Sequence, residues 1–234
     1  EMTSSLVGSE MCIRDRLLTG GAGIDAMTQV IIDYYFLDAF VFQKSLAGRT
    51  DSEIIKEAVK QIRGCFVPAE CASLLIRYQM ELSKQLPKHK GQVLKNVGKT
   101  LQHFCQPGSK YLNCLLTGNI KGGAQQKLHY YGIDKYFSFD HSAFGELSED
   151  RAELARIAWQ RLYLENPQLE PQDLIFVGDT PNDALCANAI GAPCVIVMEG
   201  SHYKKEDFKN CMVDLFLDSL PDNPAEFEKL LDNL

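Results

Sequence analysis

The residues of this 234-residue chain best suited to chemistry follow three apolar runs. The first group is Gly178-Asp179-Thr180-Pro181-Asn182-Asp183, straight after Asp173-Leu174-Ile175-Phe176-Val177. Two carboxylates four residues apart, one at a strand end and one in the first turn of a helix, can converge on one hard cation. Mg2+ takes such oxygen ligands together with waters and a substrate phosphate oxygen. Asp183 has a second reading. With Thr180 as N-cap and Pro181 at the first helical position, it stands where a capping acid is favoured. That reading leaves Asp179 unexplained, beside Gly178 at the mouth of a hydrophobic strand.

The second group is Thr117-Gly118-Asn119, after Leu115-Leu116. A hydroxyl and backbone amides at a strand end can hold phosphate oxygens, although Thr-Gly-Asn is also a plain turn. The third is Ser148-Glu149-Asp150-Arg151. Ser148 reads as an N-cap, which places Arg151 in the first helical turn. A cation there opposes the helix dipole, so Arg151 serves a ligand or is a solvated surface residue.

These groups need a scaffold that brings strand ends together. From position 88 onward, short apolar strands alternate with amphipathic helices. Strands are predicted at Tyr111–Leu116, Tyr136–Phe139, Asp173–Val177, Cys194–Val197 and Leu215–Leu217. Helices are predicted over 122–131 and 149–164, with a last one capped by Asn223 and begun by Pro224. This alternation implies an α/β fold, a Rossmann-like three-layer parallel sheet covered on both faces. Ligands in such sheets bind beyond the carboxyl ends of the strands, where all three groups lie.

Residues 24–86 differ. Met27, Val30, Ile31, Tyr34, Leu37 and Val41 recur at helical spacing. Thr50 and Glu53 have the spacing of a capping box, followed by the stripe Ile54, Ile55, Ala58, Val59 and Ile62. Leu74, Leu75, Tyr78, Leu82 and Leu86 form a third stripe, which stops at Pro87. The segment reads as an all-helical insert.

The totals limit the alternatives. Hydrophobic residues make up 45% and charged residues 24%, a composition that can bury a core. The net charge of -7 argues against nonspecific nucleic-acid binding, which needs basic surface. No apolar run approaches the ~20 residues of a membrane span, so no membrane partner is expected. The eight cysteines form no C-x-x-C pair, and Cys114, Cys186 and Cys194 lie in apolar runs. Reduced, buried thiols in a cytoplasmic protein are expected.

Taken in order, these strand ends resemble the haloacid dehalogenase (HAD) phosphatases, particularly the phosphoglycolate phosphatase-like branch with a helical cap. Leu17-Leu18-Thr19-Gly20-Gly21-Ala22-Gly23 resembles the stretch after that family's first motif, and Gly48-Arg49-Thr50-Asp51 a cap signature. The resemblance implies a core of 17–23 and 88–234 with a cap of 24–87. It implies a Mg2+-dependent phosphatase working through an aspartyl-phosphate on a small phosphorylated metabolite. Thr117, with Gly118 and Asn119, would bind the phosphoryl group. Arg151 would stand where the third motif has a lysine, with Lys127 as the runner-up, whose mid-helix setting predicts a side chain facing solvent; Asp179 with Asp183 would hold Mg2+. Arg49 and Arg77 are candidate contacts for an anionic substrate. The cap lysines Lys44, Lys56 and Lys60 leave a phosphonate-cleaving relative open, with nothing that marks one of them. A dehalogenase needs no Mg2+, so the Gly-Asp-x-x-x-Asp pattern speaks against it.

The family's first motif, Asp-x-Asp-Gly-Thr, is not matched. In the register of Leu17–Gly23 its two aspartates fall on Met11 and Ile13. Asp15 would fall on the motif's threonine, and Asp25 reads as a helix-start residue. Residues 1–16 (EMTSSLVGSEMCIRDR) read as a foreign leader rather than a signal peptide, and the chain as an N-terminally truncated phosphatase that is inactive as it stands. The alternative is a catalytically dead relative that binds phosphate or acts as a scaffold. The strand carrying the motif would be the central one, between those ending at Thr117 and Val177, with Leu6–Ile13 as a makeshift replacement.

Overall fold

The computed structural model describes residues 17–44, 46 and 48–234. The Leu6–Ile13 segment and the two positions in register with the aspartates lie outside the described residues.

The chain enters through β1 (Leu17–Leu18), forms the helices α1 (Ala22–Tyr35), α2 (Asp51–Arg63) and α3 (Pro68–Gln85), and returns through β2 (Gln92–Val93). β1 and β2 pair antiparallel, so the entry and exit of the helical unit run side by side. Gly20 makes this possible. It has a φ of 62°, and a Cβ there would sit 2.7 Å from the Lys90 carbonyl oxygen. Asp25 does lie in the first turn of α1, where it pairs with His89 at 3.1 Å.

The three helices share one core, in which Ile31, Ile55, Leu74, Tyr78 and Leu82 are fully buried. Burying each such aliphatic side chain contributes about 1.5–3 kcal/mol. Thr50 caps α2 by accepting the Glu53 N–H at 3.1 Å. The reciprocal half of the expected capping box is not made. The Glu53 carboxylate takes the Arg49 guanidinium instead, at 2.7 Å.

The remainder runs α4 (Val97–Phe104), β3 (Leu116–Thr117), α5 (Lys121–Tyr130), β4 (Ala143–Phe144), α6 (Arg151–Glu165), β5 (Phe176–Gly178), α7 (Pro181–Asn188), β6 (Cys194–Val197), β7 (Leu215–Leu217) and α8 (Pro224–Leu231). β3 pairs parallel with β4, and β5, β6 and β7 form a parallel set in that order. The strand predicted at Tyr136–Phe139 is not there. Asp134–Tyr136 forms a 3-10 turn, and the wholly buried Ala143-Phe144 pairs in its place.

The two sheets form one layer. Leu115, Phe144, Val177, Val195 and Val197 point to one face, with α4, α5 and α8. Leu116, Ala143, Phe176, Cys194 and Ile196 point to the other, with α6 and α7. Alternation of successive residues between the faces is the period of a strand, and the result is the three-layer α/β core that the sequence predicts. Among the described residues no hydrogen-bond ladder joins β3 to β5. Cys114, Cys186 and Cys194 are buried and unbridged. Among the described residues no helix is long and apolar enough to cross a membrane.

Candidate active site

The strand ends and the helical unit enclose a cavity of about 350 Å³, lined by Gly118, Asn119, Lys127 and Arg151 from the core and by Asp51 and Tyr78 from the helices. Thr117 ends β3 and is fully buried. Its Oγ1 accepts from the Asn119 backbone N–H at 3.0 Å and from Asn119 Nδ2 at 2.7 Å. The hydroxyl hydrogen of Thr117 is thereby left to donate, the polarity a phosphoryl oxygen requires. Asn119 Oδ1 in turn accepts from Lys127 Nζ.

Lys127 corrects an expectation. It does not face solvent; only 7% of it is exposed. The buried stripe of α5 is Gly123, Ala124, Lys127 and Leu128, so helical geometry turns Lys127 inward. Its ammonium reaches the loop after β3.

Arg151 also lines the cavity, at the first position of α6, but Asp150 rather than Ser148 is the N-cap. The Asp150 carboxylate accepts the Ala152 N–H at 2.8 Å. The Arg151 guanidinium meets Asp183 Oδ1 at 3.3 Å, with both side chains nearly buried.

Asp179 and Asp183 are buried at the end of β5 and the start of α7. Asp183 completes a capping box with Thr180. Its Oδ2 accepts from the Asp179 N–H at 3.0 Å, the Thr180 N–H at 2.9 Å and Thr180 Oγ1 at 2.9 Å. With Arg151 on Oδ1, the Asp183 carboxylate is engaged on both oxygens. A Cβ on Gly178 would lie 2.2 Å from Asp183 Cβ, so only glycine lets the acid fold back under the strand end. Asp179 is held from behind, by that N–H bond and by Ser201 Oγ donating to its carbonyl at 2.6 Å. Among the described residues no group of three histidine, cysteine or acidic side chains is placed to hold a metal. Of the two acids expected to hold a cation, Asp183 has both carboxylate oxygens bonded within the chain and stands behind Asp179.

Two residues of the helical unit join this site. Asp51 opens α2, with 6% exposed. Its N–H donates to the Gly118 carbonyl at 2.7 Å, and its Oδ2 accepts the Ile120 N–H at 2.9 Å. Burial pushes the Asp51 carboxyl above the usual carboxylate range, against the opposing pull of Lys127. Tyr78 on α3 lies under the Lys127 ammonium, 6.0 Å from its ring centre, and burial pushes its phenol well up. Arg49 reaches the cavity already paired with Glu53, whereas Arg77 is exposed and stacks on Tyr34 at 5.3 Å.

Residues 151–223 match a family model described as HAD-hydrolase-like. A solved structure of CbbY from Rhodobacter sphaeroides in complex with phosphate superposes with a TM-score of 0.68, at 14% identity over 94% of this chain and 95% of that one. The chain has the haloacid dehalogenase fold. A predicted phosphoglycolate phosphatase from Haemophilus somnus shares this HAD fold, with 18% identity, a TM-score of 0.60 and coverage of 97% and 98%. A haloacid dehalogenase-like hydrolase from Bacteroides fragilis does so at 16% identity, with a TM-score of 0.65 and coverage of 94% and 98%. CbbY has also been solved with xylulose-(1,5)bisphosphate. No curated protein matches the sequence.

Proposed function

We propose that this cavity is the phosphoryl site of a Mg2+-dependent phosphatase acting on a small phosphorylated metabolite. The observation that carries the reading is the relay from Lys127 through Asn119 to Thr117. It presents a buried ammonium and a hydroxyl side by side at the carboxyl end of a parallel strand, which suits a phosphate dianion. CbbY, of the same fold, is known with phosphate bound.

In this reading Thr117 donates to one phosphoryl oxygen, and Asn119, whose N–H and side-chain amide both donate to Thr117 Oγ1, fixes that hydroxyl in the Thr117-Gly118-Asn119 phosphate-binding loop. Lys127 offsets the phosphoryl charge and takes the third-motif role expected of Arg151. Arg151 positions Asp183, and Asp183 positions the loop that presents Asp179. Asp179 would hold Mg2+, with Asp183 acting through the backbone. When bound, the ion screens the repulsion between carboxylate and phosphate. The α1–α3 unit is the cap, closing over the site and excluding water.

Residues 1–16 contain no Asp-x-Asp pair, so the chain as given binds phosphate without turning over an ester. The test is the double substitution Met11→Asp with Ile13→Asp, assayed on p-nitrophenyl phosphate. Phosphate release that needs Mg2+ and falls at least about 100-fold on Thr117→Val supports the assignment. Release indifferent to Thr117 refutes it.

A further inference from the structure

Below the phosphate loop, the cavity reaches polar groups that the phosphoryl chemistry does not use. The Tyr78 hydroxyl is fully buried and has no hydrogen-bond partner among the described residues. Buried hydroxyls are nearly always paired. Two glycines bring Tyr78 together with its neighbours. A Cβ on Gly23 of α1 would lie 3.6 Å from the Tyr78 hydroxyl and 3.4 Å from Lys127 Nζ. A Cβ on Gly123 of α5 would lie 3.4 Å from Tyr78 Cε1 and 3.7 Å from Asp51 Oδ2. The phenol, the ammonium and the Asp51 carboxylate thus surround ground kept open by missing side chains. The cations nearby are engaged: Arg49 with Glu53 at 2.7 Å, Arg151 with Asp183 at 3.3 Å, and Lys127 with Asn119. Lys90 and His202 line the cavity as exposed residues.

We propose that the Tyr78 hydroxyl and the Asp51 carboxylate recognise a hydroxyl group on the alcohol that leaves the phosphate, which makes the substrate a phosphorylated polyol rather than a phosphorylated carboxylic acid. The assignment rests on the phosphatase reading above. A substrate hydroxyl can donate to Asp51 and accept from Tyr78 at once. A substrate carboxylate only accepts, and it would set a second negative charge against Asp51 in a site removed from water, where like charges repel most strongly. A site built to hydrogen-bond a substrate hydroxyl discriminates sharply against the analogue that lacks it.

The test is calorimetric titration of the full chain, in Mg2+ at mildly alkaline pH, with inorganic phosphate, glycerol phosphate and phosphoglycolate. Glycerol phosphate is expected to bind about tenfold more tightly than the other two, a difference of about 1.4 kcal/mol. Tyr78→Phe should erase that advantage and leave the affinity for inorganic phosphate unchanged. Asp51→Asn should raise the affinity for phosphoglycolate severalfold. Gly23→Ala supplies a variant that does not threaten the fold, since alanine favours a helix over glycine. It should weaken glycerol phosphate binding with no loss of melting temperature. Equal affinities for glycerol phosphate and phosphoglycolate, or an advantage that survives Tyr78→Phe, overturns the proposal while the phosphate site stands. If inorganic phosphate itself fails to bind, the phosphatase reading falls and the polyol assignment with it.

Discussion

The Asp51 N–H donates to the Gly118 carbonyl oxygen at 2.7 Å, which bonds the first residue of α2 to the loop after β3. Asn182, in the first turn of α7, donates to the Gly48 carbonyl at 3.1 Å. The loop after β3 and the start of α7 therefore both bond to segment 48–51 of the helical unit. The loop after β3 is thus tied to the start of α2.

A Cβ at position 118 would meet the Arg49 carbonyl oxygen at 2.9 Å and Thr50 Cα at 3.1 Å. Both are backbone atoms and cannot swing aside. Gly118→Ala is expected to destabilise the chain by about 1–3 kcal/mol, the usual cost of overpacking. Urea unfolding measures this, and a wild-type midpoint would show that the contact is slack.

Lys127 and Arg151 both line the cavity, and substitution separates their roles. Arg151→Met strips the nearly buried Asp183 of its counter-ion, and breaking such a pair costs about 3 kcal/mol. Lys127→Met keeps the volume of the side chain and removes a charge aimed at the loop after β3. It should lower phosphate affinity at least about tenfold, in line with a charge-assisted hydrogen bond lost. The reverse pattern, with Arg151→Met harming only phosphate binding, would return the third-motif role to Arg151.

Asp51 gives a signed pH dependence. Burial, and secondarily the charge of Glu146, raise its folded pKa above the ordinary value, and Lys127 opposes them. A raised folded pKa means that the contribution to stability is full below the unfolded value, about 3.9, and is lost as pH rises through the folded one. The stability of Asp51→Asn relative to wild type should therefore improve from mildly acidic to neutral pH. Paired urea midpoints across that range are the measurement. A gap that is constant, or that favours the variant only in acid, contradicts the burial of an ionising group there.

Much of this site could be read before folding was considered. Cys194–Val197 and Leu215–Leu217 pair over the bounds that their apolar runs suggest, because continuous apolar runs between turn residues leave a parallel strand few alternatives. Thr180, Pro181 and Asp183 announce a cap and form one. Other features were hidden for physical reasons. Periodicity marks Tyr78 as a core residue and is right about its burial, but it cannot tell a phenol packed on carbon from one facing a cavity. Lys127 sits in register with Ala124 and Leu128, and that stripe was the available signal for an inward lysine. Asp183 was legible in both of its readings, and only the hydrogen bonds to Asp179 and Thr180 reveal how fully its oxygens are used. The pairing of β4 depended on which of two short apolar runs the parallel ladder would take.

The central claim is that Thr117, Lys127 and Asp179 form one site for phosphate and Mg2+. Titration of inorganic phosphate into the chain, with and without Mg2+, tests it most directly. The account predicts binding that tightens at least about tenfold with Mg2+, with the gain lost in Asp179→Asn and binding itself lost in the Lys127→Met and Thr117→Val double variant. Phosphate affinity that is the same with and without Mg2+, and the same in all three proteins, would contradict it.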